Sequence, residues 1–463
     1  MLDIRLPDNC RAERLYVLDV VLGEFLGLRF TTRWDGVAGE VQIRDGQAGP
    51  VLRLADTFFD WAATHWLRPA AEAPFPLAGP VDALPRAALA PFDDALPMLF
   101  GAPDAHGAWS ATTADGGTLG LDVFGAAFFM LSRYEEIVVA QRDEFDRFPA
   151  SASVAGRSGV LDRPIVDEYV EVLWHALARL WPGLDRRVRS FRTRLTHDVD
   201  LPLKHGFSPW YRTGAAALRD AVKEGPRAAV ERLRTWRAVR GGQPELDPYN
   251  TFGWLMSLAE RHGLHGAYYF LAGRLHKHDG LYDVEHPFIA RLMHDLHARG
   301  HEIGLHPSFT TCGDEAQTAR EFERLRAAAR AAGVQQAAWG GRQHFLRWNN
   351  PQTLRNWERA GLAYDSTLGY ADRNGFRCGV CREYPAYDLL ERRRMALRLR
   401  PLIMMEATFA TYMRLGWGQP ARDHVARLKD ACRRVDGEFV LLWHNSNLTT
   451  NEQRDTLRIA VEN

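Results

Sequence analysis

The sequence predicts an α/β protein in two parts, a C-terminal barrel of alternating strands and helices behind an N-terminal α+β domain. Its 463 residues exceed what one ordinary core holds. From about residue 190 strand-like and helix-like segments alternate, whereas residues 1–188 lack that rhythm. Repeated units of this length favour a parallel sheet, and their number favours a barrel. We therefore predict domains at residues 1–188 and 189–463.

Composition restricts the class of protein further. Hydrophobic residues make up 46% and charged residues 25%, which is ordinary for a globular chain. The 58 basic residues balance the 58 acidic ones, so the net charge does not favour nucleic acid or an anionic membrane as a partner. We expect no signal peptide and no transmembrane segment. Five scattered cysteines indicate a reducing compartment, so we expect a cytoplasmic protein; its oligomeric state is unknown.

The N-terminal part contains four recognisable elements. Apolar spacing and stop signals predict three helices and one hairpin with Asp-Gly turns. The helices are "AERLYVLDVVLGEFLGL" (12–28), "FGAAFFMLSRYEEIV" (124–138) and "PIVDEYVEVLWHALARLWPGL" (164–184), and the hairpin is "TTRWDGVAGEVQIRDG" (31–46). No group of chemically reactive side chains stands out, so we expect a structural role for this part; binding of substrate, of a partner or of another copy of the chain stays open.

The C-terminal part alternates more regularly. The predicted strands are "FRTRLTHDVD" (191–200), "HGAYYFLAG" (265–273), "HEIGLH" (301–306), "AAWGGRQHF" (337–345), "LAYDSTL" (362–368), "PLIMMEATF" (401–409) and "EFVLLWH" (438–444). The predicted helices between them are "DPYNTFGWLMSLAERHGL" (247–264), "HPFIARLMHDLHARG" (286–300), "EAQTAREFERLRAAARAAG" (315–333), "NNPQTLRNWERAG" (349–361) and "ARDHVARLKDACRRVDG" (421–437). An arginine-rich helical pair, "YRTGAAALRDAVKEGPRAAVERLRTWRAVRGG" (211–242), is inserted after the first strand. Docking to an anionic polymer or membrane would use such a pair, but a solvated helical face is the ordinary interpretation.

Polar side chains collect at the predicted carboxyl ends of the strands, where barrels of this type carry their sites. They are Asp198, Asp200, His306, Arg342, His344, Asp365 and His444. Asp198 and Asp200 are two residues apart and share one face of their strand. Each residue alone has an ordinary structural explanation as a turn, cap or hydrogen-bonded residue. Together, two carboxylates, several imidazoles and an arginine at one rim indicate metal-assisted hydrolysis.

With these motifs in order, the chain from about residue 190 to its end resembles the polysaccharide deacetylases, the NodB-like family 4 carbohydrate esterases. The resemblance implies a distorted (β/α)7 barrel of the NodB-homology type. "THDVD" is similar to the family's first motif, which implies Asp198 as general base and Asp200 as metal ligand. "GHEIGLHPSFT" is similar to the second motif and implies that His306 is a metal ligand.

The later motifs are also similar. "RQHF" stands for the third motif and implies that Arg342 orients the base, and "LLWH" stands for the last and implies His444 as general acid. We assign the backbone N–H of Phe345 to the oxyanion. Tyr370 and Trp443 are candidates for stacking on a sugar ring, with a place in the core as the alternative.

Two positions depart from the family pattern. Thr310 stands where the second motif has its second histidine, and His344 stands where the third motif has a proline. A catalytic zinc site normally has three protein ligands, of which Asp200 and His306 supply two. Three alternatives remain open: His344 is the third ligand, water or a weak Thr310 contact replaces it, or the metal has been lost.

The resemblance implies metal-dependent hydrolysis, with zinc as the expected metal, of the N-acetyl group of an amino-sugar unit in a glycan or glycan precursor, releasing acetate. The partner is then an N-acetylated sugar or oligosaccharide, and no nucleic acid is expected. One alternative is a catalytically silent carbohydrate-binding protein on the same fold. Another is a hydrolase of a non-sugar amide of the ureide type. "CGVC" (378–381) lacks the second cysteine pair of a structural zinc site, and we expect it in a loop over the rim.

Overall fold

The computed structural model describes residues 1–46, 49–77, 96–104, 108–113 and 116–462. Two sheets organise these residues, one of six strands and one of nine. The six-stranded sheet lies within the N-terminal part and the nine-stranded sheet within the C-terminal part. The predicted mixed α/β class is therefore confirmed.

The N-terminal sheet is mixed in direction. Its strands are β1 (Leu2–Arg5), β2 (Phe30–Arg33), β3 (Glu40–Asp45), β4 (Val51–Ala55), β5 (Ser110–Thr113) and β6 (Gly116–Leu119). They lie in the order β2-β1-β3-β4-β6-β5, with β1–β2 and β4–β6 parallel. Helices of eight or more residues accompany them: α1 (Arg11–Leu18, continued by a π-helix, Asp19–Leu26), α2 (Thr57–His65), α3 (Val123–Leu131) and α4 (Ile165–Leu180).

The hairpin predicted over residues 31–46 is wrong in its pairing. Strand β1 lies between β2 and β3, so β2 pairs with β1 in parallel and β3 pairs with β4 in an antiparallel manner. At the first Asp-Gly step, the Gly36 N–H donates to Leu6 O at 2.9 Å and Asp35 pairs with Arg5. This turn therefore closes onto β1, because the first strand of the chain already occupies the position beside β3.

The C-terminal sheet supplies the barrel. Its strands are β7 (Arg192–Val199), β8 (Ala267–Leu271), β9 (Glu302–His306), β10 (Gly340–Gly341), β11 (Tyr364–Asp365), β12 (Tyr384–Asp388), β13 (Arg393–Leu399), β14 (Met404–Met405) and β15 (Glu438–Leu442). The order is β12-β13-β11-β10-β9-β8-β7-β15-β14, and only the β12–β13 pair is antiparallel. All the carboxyl ends of the parallel strands therefore meet at one rim.

The ring closes through the chain between β13 and β14. These two strands lie on opposite sides of the sheet order but are consecutive in sequence. Between them, the Arg400 N–H donates to Asp365 O at 2.8 Å, and the Ile403 N–H donates to Val440 O at 3.0 Å. The segment that runs from β13 to β14 thus lies between β11 and β15 and acts as one interrupted strand of the ring. In the described residues this gives seven parallel positions, as expected for a distorted (β/α)7 barrel.

Helices lie between the barrel strands, except the last helix, which follows β15. They are α5 (Trp210–Lys223), α6 (Pro226–Arg240), α7 (Phe252–Arg261), α8 (Pro287–Ala298), α9 (Glu315–Ala331), α10 (Gln352–Ala360), α11 (Gln419–Arg433) and α12 (Asn451–Val461). The arginine-rich insertion forms α5 and α6. Among the described helices, none combines the length and the apolar character that crossing a membrane requires.

Ion pairs join the N-terminal part to the barrel, and those of Glu136 are buried. Glu136 lies between Arg133 and Arg377, and all three side chains are buried. Glu13, on α1, pairs with Arg392 and accepts from the Tyr387 hydroxyl at 2.7 Å. The boundary between residues 188 and 189 stays a prediction, since both parts contribute to one continuous apolar core.

The "CGVC" segment does not lie over the rim. Both of its thiols are free and buried. Cys381 accepts the Glu438 N–H on its carbonyl at 2.7 Å, and its own N–H donates to Asp167 at 2.8 Å. Glu438 begins β15, so Cys381 lies at the amino end of that strand, opposite the rim. The prediction was wrong because the segment folds back against α4 of the N-terminal part.

Candidate metal centre

Four strand ends deliver most of the polar residues of the rim. Asp198 lies near the end of β7 and Asp200 just beyond it, and His306 ends β9. Residues 342–344 follow the two-residue strand β10, and His444 follows β15. Gly341 is required in β10, because a Cβ there would lie 1.8 Å from Leu305 O. This close approach of neighbouring backbones brings the residues after β10 against the end of β9.

Asp200, His306 and His344 form a cluster in which one ligand atom from each side chain lies within 4.8 Å of the others. Asp200 Oδ1 is 3.2 Å from His306 Nε2 and 3.7 Å from His344 Nε2. This oxygen is buried and has no hydrogen-bond partner in the described residues. A buried, unsatisfied carboxylate oxygen facing two imidazole nitrogens suits a cation. The donor set therefore fits a divalent metal.

The second ring nitrogen of each histidine is fixed. His306 Nδ1 donates to Arg342 O at 2.6 Å, and His344 Nδ1 donates to Asp279 Oδ1 at 3.1 Å. These bonds hold the proton on Nδ1, which leaves Nε2 free to act as a ligand. Burial of Asp279 opposes its charge, yet His344 and the N–H groups of Phe309 and His276 hold the pKa of Asp279 below its usual range.

The electrostatic potential at the cluster is negative. Burial disfavours the charged form of His306, but Asp198 and Asp200 outweigh it and raise the pKa of that imidazole. In return, despite burial, His344 and His306 hold the pKa of Asp200 well below its usual range, so this carboxylate is ionised. A field that favours a positive charge on His306 equally favours a bound cation.

Asp198 is held by Arg342 and not by the cluster. Arg342 Nη1 donates to Asp198 Oδ1 at 2.8 Å, while Asp198 Oδ2 lies 3.8 Å from His306 Nε2. The buried guanidinium also donates to Thr196 Oγ1 at 3.0 Å and to the carbonyl and hydroxyl of Ser366. With these bonds in place, Arg342 fixes the carboxylate of Asp198 in one orientation beside the cluster.

His444 forms a pair with Glu406, the residue that follows β14. His444 Nδ1 donates to Glu406 Oε1 at 2.6 Å, and the His444 N–H donates to the same oxygen at 2.9 Å. Burial disfavours the imidazolium, but Glu406 and the aspartates of the rim raise the pKa of His444 to about 10. His444 Nε2 lies 3.5 Å from Asp200 Oδ2. This pair therefore presents a protonated imidazole at the edge of the cluster.

Asp279 and Glu406 are the site residues that the sequence reasoning missed. Glu406 lies inside the predicted strand "PLIMMEATF" (401–409), and only the structure, which ends β14 at Met405, places it at a strand end. Asp279 lies in the loop after β8, eight residues beyond the strand, where strand-end reasoning carries no signal. Only the folded loop brings it to His344.

Thr310 lies outside the cluster and is exposed. His301, at the other end of β9, accepts the Gly266 N–H at 3.0 Å. Asp365 points to Thr367 and Trp348, and burial raises the pKa of Asp365 to about 6. None of these three residues belongs to the candidate metal cluster among the described residues.

Phe345 lies beside His344 in a left-handed backbone conformation, with φ 61° and ψ 13°. The conformation is unfavourable for a residue with a side chain. Arg147, from the N-terminal part, donates to Phe345 O at 3.1 Å. The rings of Phe145, Phe309 and His278 pack against the Phe345 ring. The loop that carries Phe345 is therefore supported by the N-terminal part.

Tyr370 and Trp443 are core residues, so their predicted stacking on a sugar is not supported. Tyr370 is buried, its hydroxyl accepts from Arg133 at 3.3 Å, and Arg377 covers its ring. Trp443 is fully buried, packs against Trp417, and donates from Nε1 to Asn447 O at 3.0 Å. Both side chains are buried, so neither ring offers an exposed face to a sugar.

Comparison with known proteins gives partial matches. Residues 2–182 match a family described as "Family of unknown function (DUF7033)", which covers less than half of the chain. No curated protein matches. The solved structures that match include a polysaccharide deacetylase described as putative from Mycobacterium smegmatis, with 15% identity and a TM-score of 0.36 over 58% of this chain and 82% of that one.

Two further structures match to the same degree. "Puue Allantoinase" has 13% identity and a TM-score of 0.36, covering 61% of this chain and 85% of that one. A probable polysaccharide deacetylase from Pseudomonas aeruginosa PAO1 has 15% identity and a TM-score of 0.34, with the same coverage. Superpositions at this level identify no substrate.

Proposed function

We propose that this protein is a metal-dependent hydrolase that removes the N-acetyl group from an amino-sugar unit in a glycan or glycan precursor. The observation that carries the proposal is the cluster of Asp200, His306 and His344, with its unsatisfied carboxylate oxygen, beside the Asp198–Arg342 pair. The deacetylase-like order of "THDVD", "GHEIGLH" and "LLWH" supports the choice of substrate. We further propose that the protein is cytoplasmic, which the five free thiols support.

Asp200, His306 and His344 would hold the metal, and zinc suits two imidazoles and one carboxylate. A divalent metal there supplies Lewis acidity toward the amide carbonyl and toward a water molecule. Asp198 takes the proton of the attacking water. Arg342 aims that carboxylate, since it donates to one of its oxygens and leaves the other facing the cluster.

The leaving amine needs a proton before the carbon–nitrogen bond can break. His444 donates it from Nε2, and Glu406 holds the imidazole in the required orientation through Nδ1. The Phe345 N–H is proposed to donate to the developing oxyanion. The products are acetate and a free amine, so one water is consumed and one amide bond is broken.

Metal content tests the proposal first. We expect the purified protein to bind about one zinc ion per chain by mass spectrometry, as a single three-ligand site requires. Asp200→Ala, His306→Ala and His344→Ala should each lose it. Asp198→Asn should keep the metal, because Arg342 and not the cluster holds Asp198. It should lose hydrolysis, because an amide cannot take the proton of the attacking water. The control is His265→Ala, which removes an exposed histidine outside the cluster.

The result for His344→Ala decides the third ligand. Metal retained in this variant alone would return His344 to a substrate-binding or structural role. No metal in any sample after zinc is resupplied would contradict the hydrolase and favour a carbohydrate-binding protein. Acetate release from N-acetylated oligosaccharides then separates a deacetylase from a ureide hydrolase, because a ureide contains no acetyl group to release.

A further inference from the structure

We propose that the helical pair α5–α6 docks the protein onto an anionic lipid surface. One face of α5 carries Tyr211, Ala215, Leu218 and Val222, whose spacing of three and four residues places them on a single stripe. All four are exposed, with Tyr211 at 56%, Leu218 at 70% and Val222 at 81%. Trp210, at the start of the helix, is 75% exposed. A soluble helix normally turns such a stripe inward.

The inward face of α5 is a different one. Thr213 and Ala217 are its buried residues, and Asp220 on the same side pairs with Arg232 of α6. The two helices therefore already pack on each other, and the apolar stripe is left without a partner among the described residues. An unpartnered stripe with an aromatic pair at one end is typical of a helix lying in a membrane interface.

Cations surround the stripe. Residues 210–240 contain eight basic and three acidic side chains, in a chain whose formal net charge is zero. Seven of the basic side chains are exposed and form no ion pair in the described part of the chain: Arg212, Arg219, Lys223, Arg227, Arg234, Arg237 and Arg240. Arg212, Arg219 and Lys223 form a row beside the stripe on α5. Positive charge next to exposed apolar side chains complements an anionic lipid headgroup above a hydrocarbon layer.

Other occupants of this face fit less well. A second copy docking through the same face would bring two sets of cations together. A nucleic acid would satisfy the cations but leave Leu218 and Val222 in water. An anionic bilayer satisfies both the charge and the apolar stripe.

The pair stands at the same rim as the candidate metal centre. Asn445, the neighbour of His444, donates from Nδ2 to Leu201 O at 3.0 Å and to Tyr249 O at 2.8 Å, which flank the insertion. Asp247 accepts the N–H groups of Lys204 and His205 at 2.8 Å each and so ties the two ends of the insertion together. Docking would hold the site next to the lipid. If the proposed function is correct, the substrate is an N-acetyl sugar carried on a lipid.

Vesicle co-sedimentation of the full chain tests this proposal. We expect binding to phosphatidylcholine vesicles containing phosphatidylglycerol, little binding to pure phosphatidylcholine, and weaker binding as salt rises. Arg212→Gln with Arg219→Gln should weaken binding about 25-fold, because each cation near the surface contributes about fivefold. Leu218→Ser with Val222→Ser should weaken it about tenfold or more. Arg291→Gln with Arg330→Gln, exposed cations on α8 and α9, is the matched control and should bind as the wild type does.

The proposal would be overturned if the wild type does not bind anionic vesicles. It would also be overturned if both double variants of the helical pair α5–α6 bind them as well as the wild type does. Self-association or binding to a nucleic acid homopolymer that depends on the same residues, without vesicle binding, would overturn it as well. Asp200→Ala should still bind vesicles, so a failed metal site and a failed docking surface give different results. The two double variants of the helical pair α5–α6 should release acetate from a soluble substrate at the wild-type rate.

Discussion

At the scale of single residues, the orientation of His444 depends on Glu406. One carboxylate oxygen of Glu406 accepts the His444 Nδ1–H, the His444 backbone N–H and the Asn447 amide. Three donors on one oxygen leave the imidazole a single orientation, with Nε2 directed at Asp200. The sequence shows only a glutamate within a predicted strand, so the pairing of Glu406 with His444 is a property of the folded rim.

We predict that Glu406→Gln lowers kcat about 10- to 100-fold with little change in KM, in the range found when a partner that orients a site histidine is removed. Glutamine can accept the same N–H groups but carries no charge to stabilise the imidazolium. Steady-state acetate release measures the effect. Bound metal should stay at the wild-type level, because Glu406 does not contact the metal cluster. Glu452→Gln, an exposed change on α12, is the control.

His197 makes stability depend on pH. It is fully buried against the Tyr268 ring, and its Nδ1 donates to Trp443 O at 2.6 Å. Burial lowers the pKa of His197 to about 4 from its ordinary value of 6.5. Between these two pH values, His197 is therefore protonated in the unfolded chain but not in the folded chain. The resulting stability is present above pH 6.5 and is lost as the pH falls toward 4.

We predict that His197 costs the folded protein about 3 kcal/mol of unfolding free energy between neutral pH and pH 4, from a shift of about 2.5 pKa units. Urea unfolding at several pH values measures this slope. His197→Asn should have lower stability at pH 7 and a flatter slope below it. The exposed variant His265→Asn should keep the wild-type slope; an equal slope in His197→Asn would contradict the assignment.

At the scale of elements, the loop after β10 depends on a segment of the N-terminal part. Arg147 is aligned by Asp143 through a bond of 2.7 Å, and it holds the carbonyl of Phe345. Arg347 donates in the other direction, to Phe145 O at 2.9 Å. The two arginines thus clamp two loops together, and the left-handed conformation at Phe345 is stabilised by a residue almost 200 positions earlier in the chain.

We predict that Arg147→Ala lowers kcat about tenfold or more, because a small displacement of the Phe345 N–H misplaces the proposed oxyanion donor. Metal content should not change, since His344 keeps its bond to Asp279. Arg147→Lys should recover part of the rate by donating to the same carbonyl. Arg142→Ala is the matched control, because Arg142 donates to backbone carbonyls of its own segment and lies over the Phe148 ring, without a bond to the Phe345 loop. An unchanged kcat in Arg147→Ala would remove Phe345 from the mechanism.

At the scale of the whole molecule, the two parts share buried charges. Glu136 accepts from Arg133 at 2.8 Å and from Arg377 at 2.9 Å and 2.5 Å. Glu135 provides a second carboxylate for Arg133. Burial opposes the charge of Glu136, but the two guanidinium groups hold the pKa of Glu136 below its usual range. A buried group of this kind is costly to break, because the remaining charges stay out of water.

We predict that Glu136→Gln lowers the free energy of unfolding by about 3–5 kcal/mol, as breaking a buried pair does. Both parts should still unfold in one transition, since the apolar core is continuous. Thermal and urea unfolding followed by tryptophan fluorescence measure this. Glu144→Gln, exposed in the same region, is the control. Two separate transitions in the variant would show that the parts are coupled mainly through this ion cluster.

The sequence by itself determined the alternation of strands and helices, and hence the rim where Asp198, Asp200, His306, Arg342 and His444 gather. Strand periodicity and the parallel arrangement are local consequences of residue order, so strand ends could be found without the structure. The sequence also predicted the helical pair α5–α6. It did not show whether other parts of the protein cover the apolar residues of that pair.

Only the tertiary structure decided the rest. The pairing of β2 with β1, the partners Asp279 and Glu406, and the support of Phe345 by Arg147 all join residues that are far apart in sequence. Tyr370 and Trp443 are core residues because of packing from several elements at once. A single sequence records which groups each position offers, whereas contacts across loops depend on how separate elements close against one another.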